Sequence, residues 1–154
     1  MIKCWQIIWR KQVQRIQKSE MILVVEDNPE VRAYICEQLY EDFDIIEGSN
    51  GEEGFFIAQK ELPDLIITDV MMPDGDGLEL VPSLQRIRPE LKIIVISAQN
   101  SLSTSAKANE LGVFGYLPKP FDLKELTKLV NAALNDNSGN EDKENQQKLK
   151  LDLR

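Results

Sequence analysis

The sequence contains no histidine. That absence removes His-based catalytic triads, imidazole metal ligation and any phosphohistidine carrier. Whatever chemistry the chain performs falls to carboxylates, hydroxyls and lysine. Cysteine is scarce as well: Cys4 and Cys36 are the only two, and they form no metal or redox spacing. They read as reduced thiols of a cytoplasmic protein. No apolar stretch approaches the roughly 20 residues that a membrane-spanning helix needs. "CWQIIW" near the start is too short for a signal peptide and lacks a cleavage region. Positive charge is also in deficit, with 18 Lys and Arg against 26 Asp and Glu, a net −8. That balance argues against direct nucleic-acid binding by this chain.

What is present suits a globular protein with a true core. The 154 residues are 42% hydrophobic and 29% charged, enough for one ordinary domain plus tails. Residues 1–20 carry five basic residues and one Glu, +4 in all, so the remainder carries −12. Within them Ile2, Trp5, Trp9, Val13 and Ile16 recur at helical spacing, which predicts a basic amphipathic helix. It reads as a short helix packed on its own domain or an upstream extension, with Met21 as an alternative start. The functional readings are a membrane-surface anchor or a coiled-coil connector. Residues 135–154 are polar and charged and read as a disordered linker or tail, one expected to lead to a further domain.

Between these ends, over residues 21–134, apolar runs alternate with helical patterns. The runs are "MILVV" (21–25), "FDII" (43–46), "DLIIT" (64–68), "KIIVIS" (92–97) and "FGYL" (114–117). Val31, Ile35 and Leu39 recur every four residues, as do Leu126, Val130 and Leu134. Asp122, with Glu125 three residues on, marks a helix start. Five strand–helix repeats of this kind predict an α/β fold, a five-stranded parallel sheet with helices on both faces, flavodoxin-like in its (βα)5 order. In such sheets ligand sites form at the carboxyl ends of the strands.

The stretch "LIITDVMMPDGDG" (65–77) delivers one carboxylate, Asp69, to that edge. Strand one ends in Glu26-Asp27, strand four in Ser97, and strand five leads to Lys119-Pro120. Each has a plain explanation alone, as a cap, a turn residue or a solvated charge. Their convergence on one edge favours a site. Clustered carboxylates repel one another unless a cation intervenes, and a hard divalent ion, Mg²⁺ above all, satisfies oxygen ligands of this kind. Phosphoryl transfer asks mainly for positioning and charge stabilisation, which a metal, a lysine and a hydroxyl supply. Asp69, between the metal acids and Lys119, is the expected nucleophile.

"ILVVEDNPEVR", "LIITDVMMPDGDGLEL", "IIVISAQ" and "FGYLPKPF" together resemble the receiver domain of two-component response regulators, the CheY-like family, over about residues 21–134. The resemblance implies that Asp69 accepts a phosphoryl group from a partner sensor histidine kinase. It implies that Asp27, Asp69 and the backbone carbonyl of Met71 bind Mg²⁺, with Glu26 assisting through water. Lys119 would pair with the carboxylate, Ser97 would hydrogen-bond the phosphoryl group, and Tyr116 would turn inward as the switch follows. The chain would be no enzyme beyond its own phosphorylation and dephosphorylation. Glu26 stands where Asp is frequent and Ser97 where Thr is common, and both keep the required group. Met71 and Gln99 occupy positions that tune dephosphorylation, and neither is a water-activating acid, which implies a long-lived phospho-form. Lys119-Pro120 resembles the family's cis peptide, Pro82 falls in the first turns of helix three, and Gly75 and Gly77 fit the turn leaving the site. "NSLSTSAKANELG" has few large apolar groups, as expected of a helix that shifts easily.

Rival chemistries fit less well. A phosphatase of the haloacid dehalogenase type needs a second Asp at position 71, which is Met. An FMN carrier needs a Ser/Thr/Gly phosphate loop where Glu26-Asp27-Asn28 stands, and "DGDG" lacks the spaced ligands of a calcium loop. What the receiver controls stays open. The second half is most similar to NtrC-type regulators, which implies transcription as the output of a domain outside this chain. The first half is more similar to receivers of hybrid kinases, and a stand-alone CheY-like relay is the third alternative. A homodimer through the fourth helix, fifth strand and fifth helix is a further expectation of the resemblance.

Overall fold

The computed structural model describes residues 19–73, 75–98 and 102–136. The amphipathic helix expected in residues 1–20 therefore lies almost wholly outside the described residues. So do Gln99 and nearly all of the expected linker.

Five parallel strands form one sheet: β1 (Met21–Val25), β2 (Asp44–Gly48), β3 (Leu65–Asp69), β4 (Lys92–Ser97) and β5 (Gly115–Pro118). Their order is β2-β1-β3-β4-β5, so β3 is central and the chain reverses direction across the sheet beside β1. Helices α1 (Pro29–Leu39), α2 (Gly51–Glu61), α3 (Gly77–Ile87), α4 (Leu102–Glu110) and α5 (Leu123–Asn135) connect and follow the strands. A two-residue ribbon, Met71–Met72 against Gly75–Asp76, closes the β3–α3 connection.

Alternation along the strands divides the core in two. Ile22, Val24, Leu65, Ile67, Ile94 and Ile96 pack with Ile35 and Leu39 of α1 and with Leu126 and Val130 of α5. Leu23, Val25, Ile66, Ile93 and Val95 face the other way, onto Ala58 of α2, Leu78, Val81 and Leu84 of α3 and Ala108 of α4. All five residues of β3 are buried, as a central strand covered on both faces requires. Edge strand β2 has two exposed residues among its five. Its polar Glu47 and small Gly48 carry it two residues past the apolar run at 43–46.

The helix starts follow from their caps. Asn28 accepts hydrogen bonds from Glu30 and Val31 N–H ahead of Pro29, an N-terminal proline that gives up no helical bond. Asp122 caps α5 as expected, though its carboxylate accepts from Lys124 N–H. Pro82 lies in the second turn of α3. In α4 only Ala108 is buried, and Leu102 is 90% exposed, so this helix is held by little apolar area.

Candidate functional site

The carboxyl edge of the sheet gathers the side chains that the sequence pointed to. β1 runs straight into Glu26, whose N–H extends the ladder by donating to Gly48 O at 3.1 Å. Glu26 is 2% exposed, and its Oε1 accepts from Asn28 N–H at 3.1 Å. Central strand β3 ends on Asp69, 4% exposed, its Oδ1 accepting from Met71 N–H at 2.9 Å. Ser97 ends β4, fully buried, and its carbonyl accepts from Lys119 N–H at 2.7 Å. The Lys119–Pro120 peptide is cis, as the sequence suggested.

Lys119 is the hub. Its Nζ lies 2.6 Å from Asp69 Oδ2 and 2.8 Å from Glu26 Oε2, bridging two buried carboxylates from different strands. Burial works against the ammonium charge, but its hydrogen bonds to Asp69 and then Glu26 outweigh that and raise its pKa above the ordinary value. Burial raises the Glu26 carboxyl pKa, only partly offset by the bond from Lys119. One lysine facing three acids leaves an excess of negative charge at the edge. Glu26, Asp27 and Asp69 each offer a carboxylate oxygen, and these oxygens lie within 4.8 Å of one another. Hard, converging and under-neutralised oxygen donors fit a small divalent cation.

A backbone contact fixes the loop after Asp69. A Cβ on Gly77 would sit 2.1 Å from the Asp69 carbonyl oxygen, so no other residue fits there without moving the strand end. Gly77 N–H also donates to Val70 O at 2.8 Å, tying the start of α3 to the residue that follows Asp69. Thr68 Oγ1 reaches the same Asp69 carbonyl at 3.2 Å.

Glu26, Asp27, Asp69 and Lys119 thus stand together, with Ser97 on the adjoining strand end. Met71 follows at the rim, 50% exposed. Tyr116 lies opposite Val95, two residues short of that edge, half-buried against the second core cluster. The sequence reading passed over Arg32. From the first turn of α1 its guanidinium donates to the Glu26 carbonyl at 2.6 Å and to Glu47 Oε2 at 3.0 Å. No local pattern announces that role, because both partners are fixed by the strand ends. The Asn28 cap was passed over as well, although Asn before Pro at a helix start is a signal that could have found it.

The family model for the response regulator receiver domain matches residues 22–131. The DNA-binding transcriptional regulator NtrC of Azospirillum brasilense is 64% identical over 75 residues, which are 49% of this chain and 16% of that protein. NtrC of Bradyrhizobium sp. (strain RP501 Parasponia) is 40% identical over 115 residues, 73% of this chain and 24% of that one. Among solved structures, the chemotaxis protein CheY4 of Vibrio cholerae matches with a TM-score of 0.71 at 26% identity, covering 75% of this chain and 99% of the other. The chain spans less than a quarter of the length of the curated relatives named here.

Proposed function

The chain belongs to the response regulator receiver domain family of two-component systems, and from that premise we propose that Asp69 is its phosphoacceptor. The observation that carries this is the Lys119 bridge, an ammonium 2.6 Å from one oxygen of a buried strand-end aspartate. That contact, with the bond from Met71 N–H to the other oxygen, aims the carboxylate as a nucleophile must be aimed. Asp69 attacks phosphorus in line. A phosphorus–oxygen bond forms as the bond to the donor breaks, and the donor, a kinase phosphohistidine, keeps the electron pair on its imidazole. Lys119 stays beside the phosphoryl oxygens, and Ser97, at the end of β4, supplies a hydroxyl toward them.

Glu26, Asp27, Asp69 and the Met71 carbonyl are the groups that would hold Mg²⁺. The ion would neutralise charge on the transferring phosphoryl group. The phosphoryl group brings about −1.5 to −2 charges in place of the carboxylate's single one, beside two acids. Lys119 and Ser97 are drawn toward it, and Tyr116 follows from the half-buried position it holds on β5. The thinly packed α4 is the element that yields, since little apolar burial opposes its movement. The output is transcription, exerted by a domain outside this chain. What supports that reading is the naming of both curated relatives above as DNA-binding transcriptional regulators.

The test is intact-mass measurement after incubation with acetyl phosphate, with and without Mg²⁺, on the wild type and Asp69→Asn. One phosphoryl adduct in the wild type with Mg²⁺ alone is expected. An equal adduct in Asp69→Asn refutes the assignment.

A further inference from the structure

The three acids of the site are not held alike. Asp69 is fixed by Lys119 and by Met71 N–H. Glu26 is fixed by Lys119 and by Asn28 N–H. Among the described residues no hydrogen bond or ion pair reaches the Asp27 carboxylate, so only the backbone aims it. The peptide that carries Asp27 begins at the Glu26 carbonyl, and that carbonyl takes the 2.6 Å bond from Arg32 Nη1. The same guanidinium is anchored by Nε on Glu47 Oε2 at 3.0 Å, and its side chain is 18% exposed. A forked, planar donor fixed at both ends sets the plane of the peptide between them far better than a single contact could.

We infer that Arg32 is a positioning residue for divalent-cation binding, acting on Asp27 through the Glu26–Asp27 peptide. This rests on the metal reading given above. It makes a prediction of opposite sign to simple electrostatics. Arg32 is a positive charge near an acidic site, so its charge alone would weaken cation binding, and removing it would tighten binding. If it sets the aim of Asp27, removing it loosens the site. Groups one step behind a metal ligand are worth about 10–100-fold in affinity. A contact to the ligand's backbone belongs at the low end, about tenfold.

The test is titration of the full chain with Mn²⁺, followed by electron paramagnetic resonance of the free ion, in the wild type, Arg32→Met and Arg32→Lys. Arg32→Lys keeps the charge and the solubility of the fold while losing the fork, which guards against a Met variant that does not fold. Both variants are expected to bind more weakly, Arg32→Met by about tenfold. In acetyl phosphate labelling, the Mg²⁺ concentration for half-maximal rate should rise while the rate at saturating Mg²⁺ holds. Unchanged or tighter Mn²⁺ binding in Arg32→Met overturns the inference. So does a lower plateau rate with no shift in half-saturation, the mark of a merely structural role. A wild type that binds no Mn²⁺ overturns the metal reading itself, and the role of Arg32 with it.

Discussion

Replacing Gly77 by Ala adds one methyl group where the chain has no room for it. In a helix Ala is ordinarily better than Gly by up to about 1 kcal/mol, so a naive expectation is mild stabilisation. Here the added carbon would lie 2.1 Å from the Asp69 carbonyl oxygen, which belongs to the backbone of the central strand and cannot rotate aside. Relief requires the β3 end and the start of α3 to separate by about 1 Å, with a strain of roughly 1–3 kcal/mol. It also stretches the 2.8 Å bond from Gly77 N–H to Val70 O, a loss of about 1 kcal/mol. The net expectation is destabilisation by about 2–3 kcal/mol, together with slower phosphorylation because Asp69 itself is displaced. Gly115→Ala is the comparison. Its Cβ would meet Leu129 side-chain carbons at 2.7 and 2.8 Å, and those can swing away, so a loss near 1 kcal/mol is expected. Urea unfolding of both variants, with acetyl phosphate labelling, separates the cases. A Gly77→Ala protein as stable and as reactive as the wild type would refute the reasoning.

Lys119→Met leaves Glu26 and Asp69 buried at 2% and 4% exposure without their shared cation. A loss of about 3 kcal/mol is expected, at the low end for breaking a buried pair because the lysine itself is 22% exposed. In the wild type the raised Lys119 pKa means that its contribution persists through neutral pH and is lost only as pH climbs through that raised value. In the variant, burial keeps the Glu26 carboxyl pKa raised with no lysine to offset it. The native state then binds more protons than the unfolded chain, and stability rises as pH falls from about 7 toward 5, more steeply than in the wild type. Thermal melts across that range check the slope, and a flat or opposite slope contradicts it. Cys36 is 3% exposed, and burial, followed by the charge of Glu47, pushes its thiol up to about 11. Iodoacetamide labelling of Cys36 in the folded protein should be slow at neutral pH and climb roughly tenfold per pH unit, as thiolate chemistry dictates. Fast labelling at neutral pH, read by peptide mapping, would contradict it.

The fold was legible wherever large apolar side chains had to be buried on both faces of the sheet. β1 and β4 fall where the runs at 21–25 and 92–97 put them, and β3 and β5 lie one residue later. Helix α2 escaped residue-level placement because its buried positions are Gly54 and Ala58. A Cβ on Gly54 would lie 2.6 Å from a Val25 methyl, so the helix packs close by having almost no side chain, which leaves no apolar period to read. At the site, Glu26, Asp27, Asp69, Ser97 and Lys119 were legible because the fold class sends strand ends to one edge. The Arg32 contacts and the Gly77 approach were not, since both depend on distances between segments remote in sequence.

The central claim is that Asp69 itself becomes the acyl phosphate. Borohydride reduction of the acetyl phosphate-treated protein, which converts an aspartyl phosphate to homoserine, followed by peptide sequencing in a mass spectrometer, tests it most directly. The account predicts homoserine at position 69 alone, and only when Mg²⁺ was present. Homoserine at position 27 or elsewhere, or none from a protein shown to be folded, would contradict it.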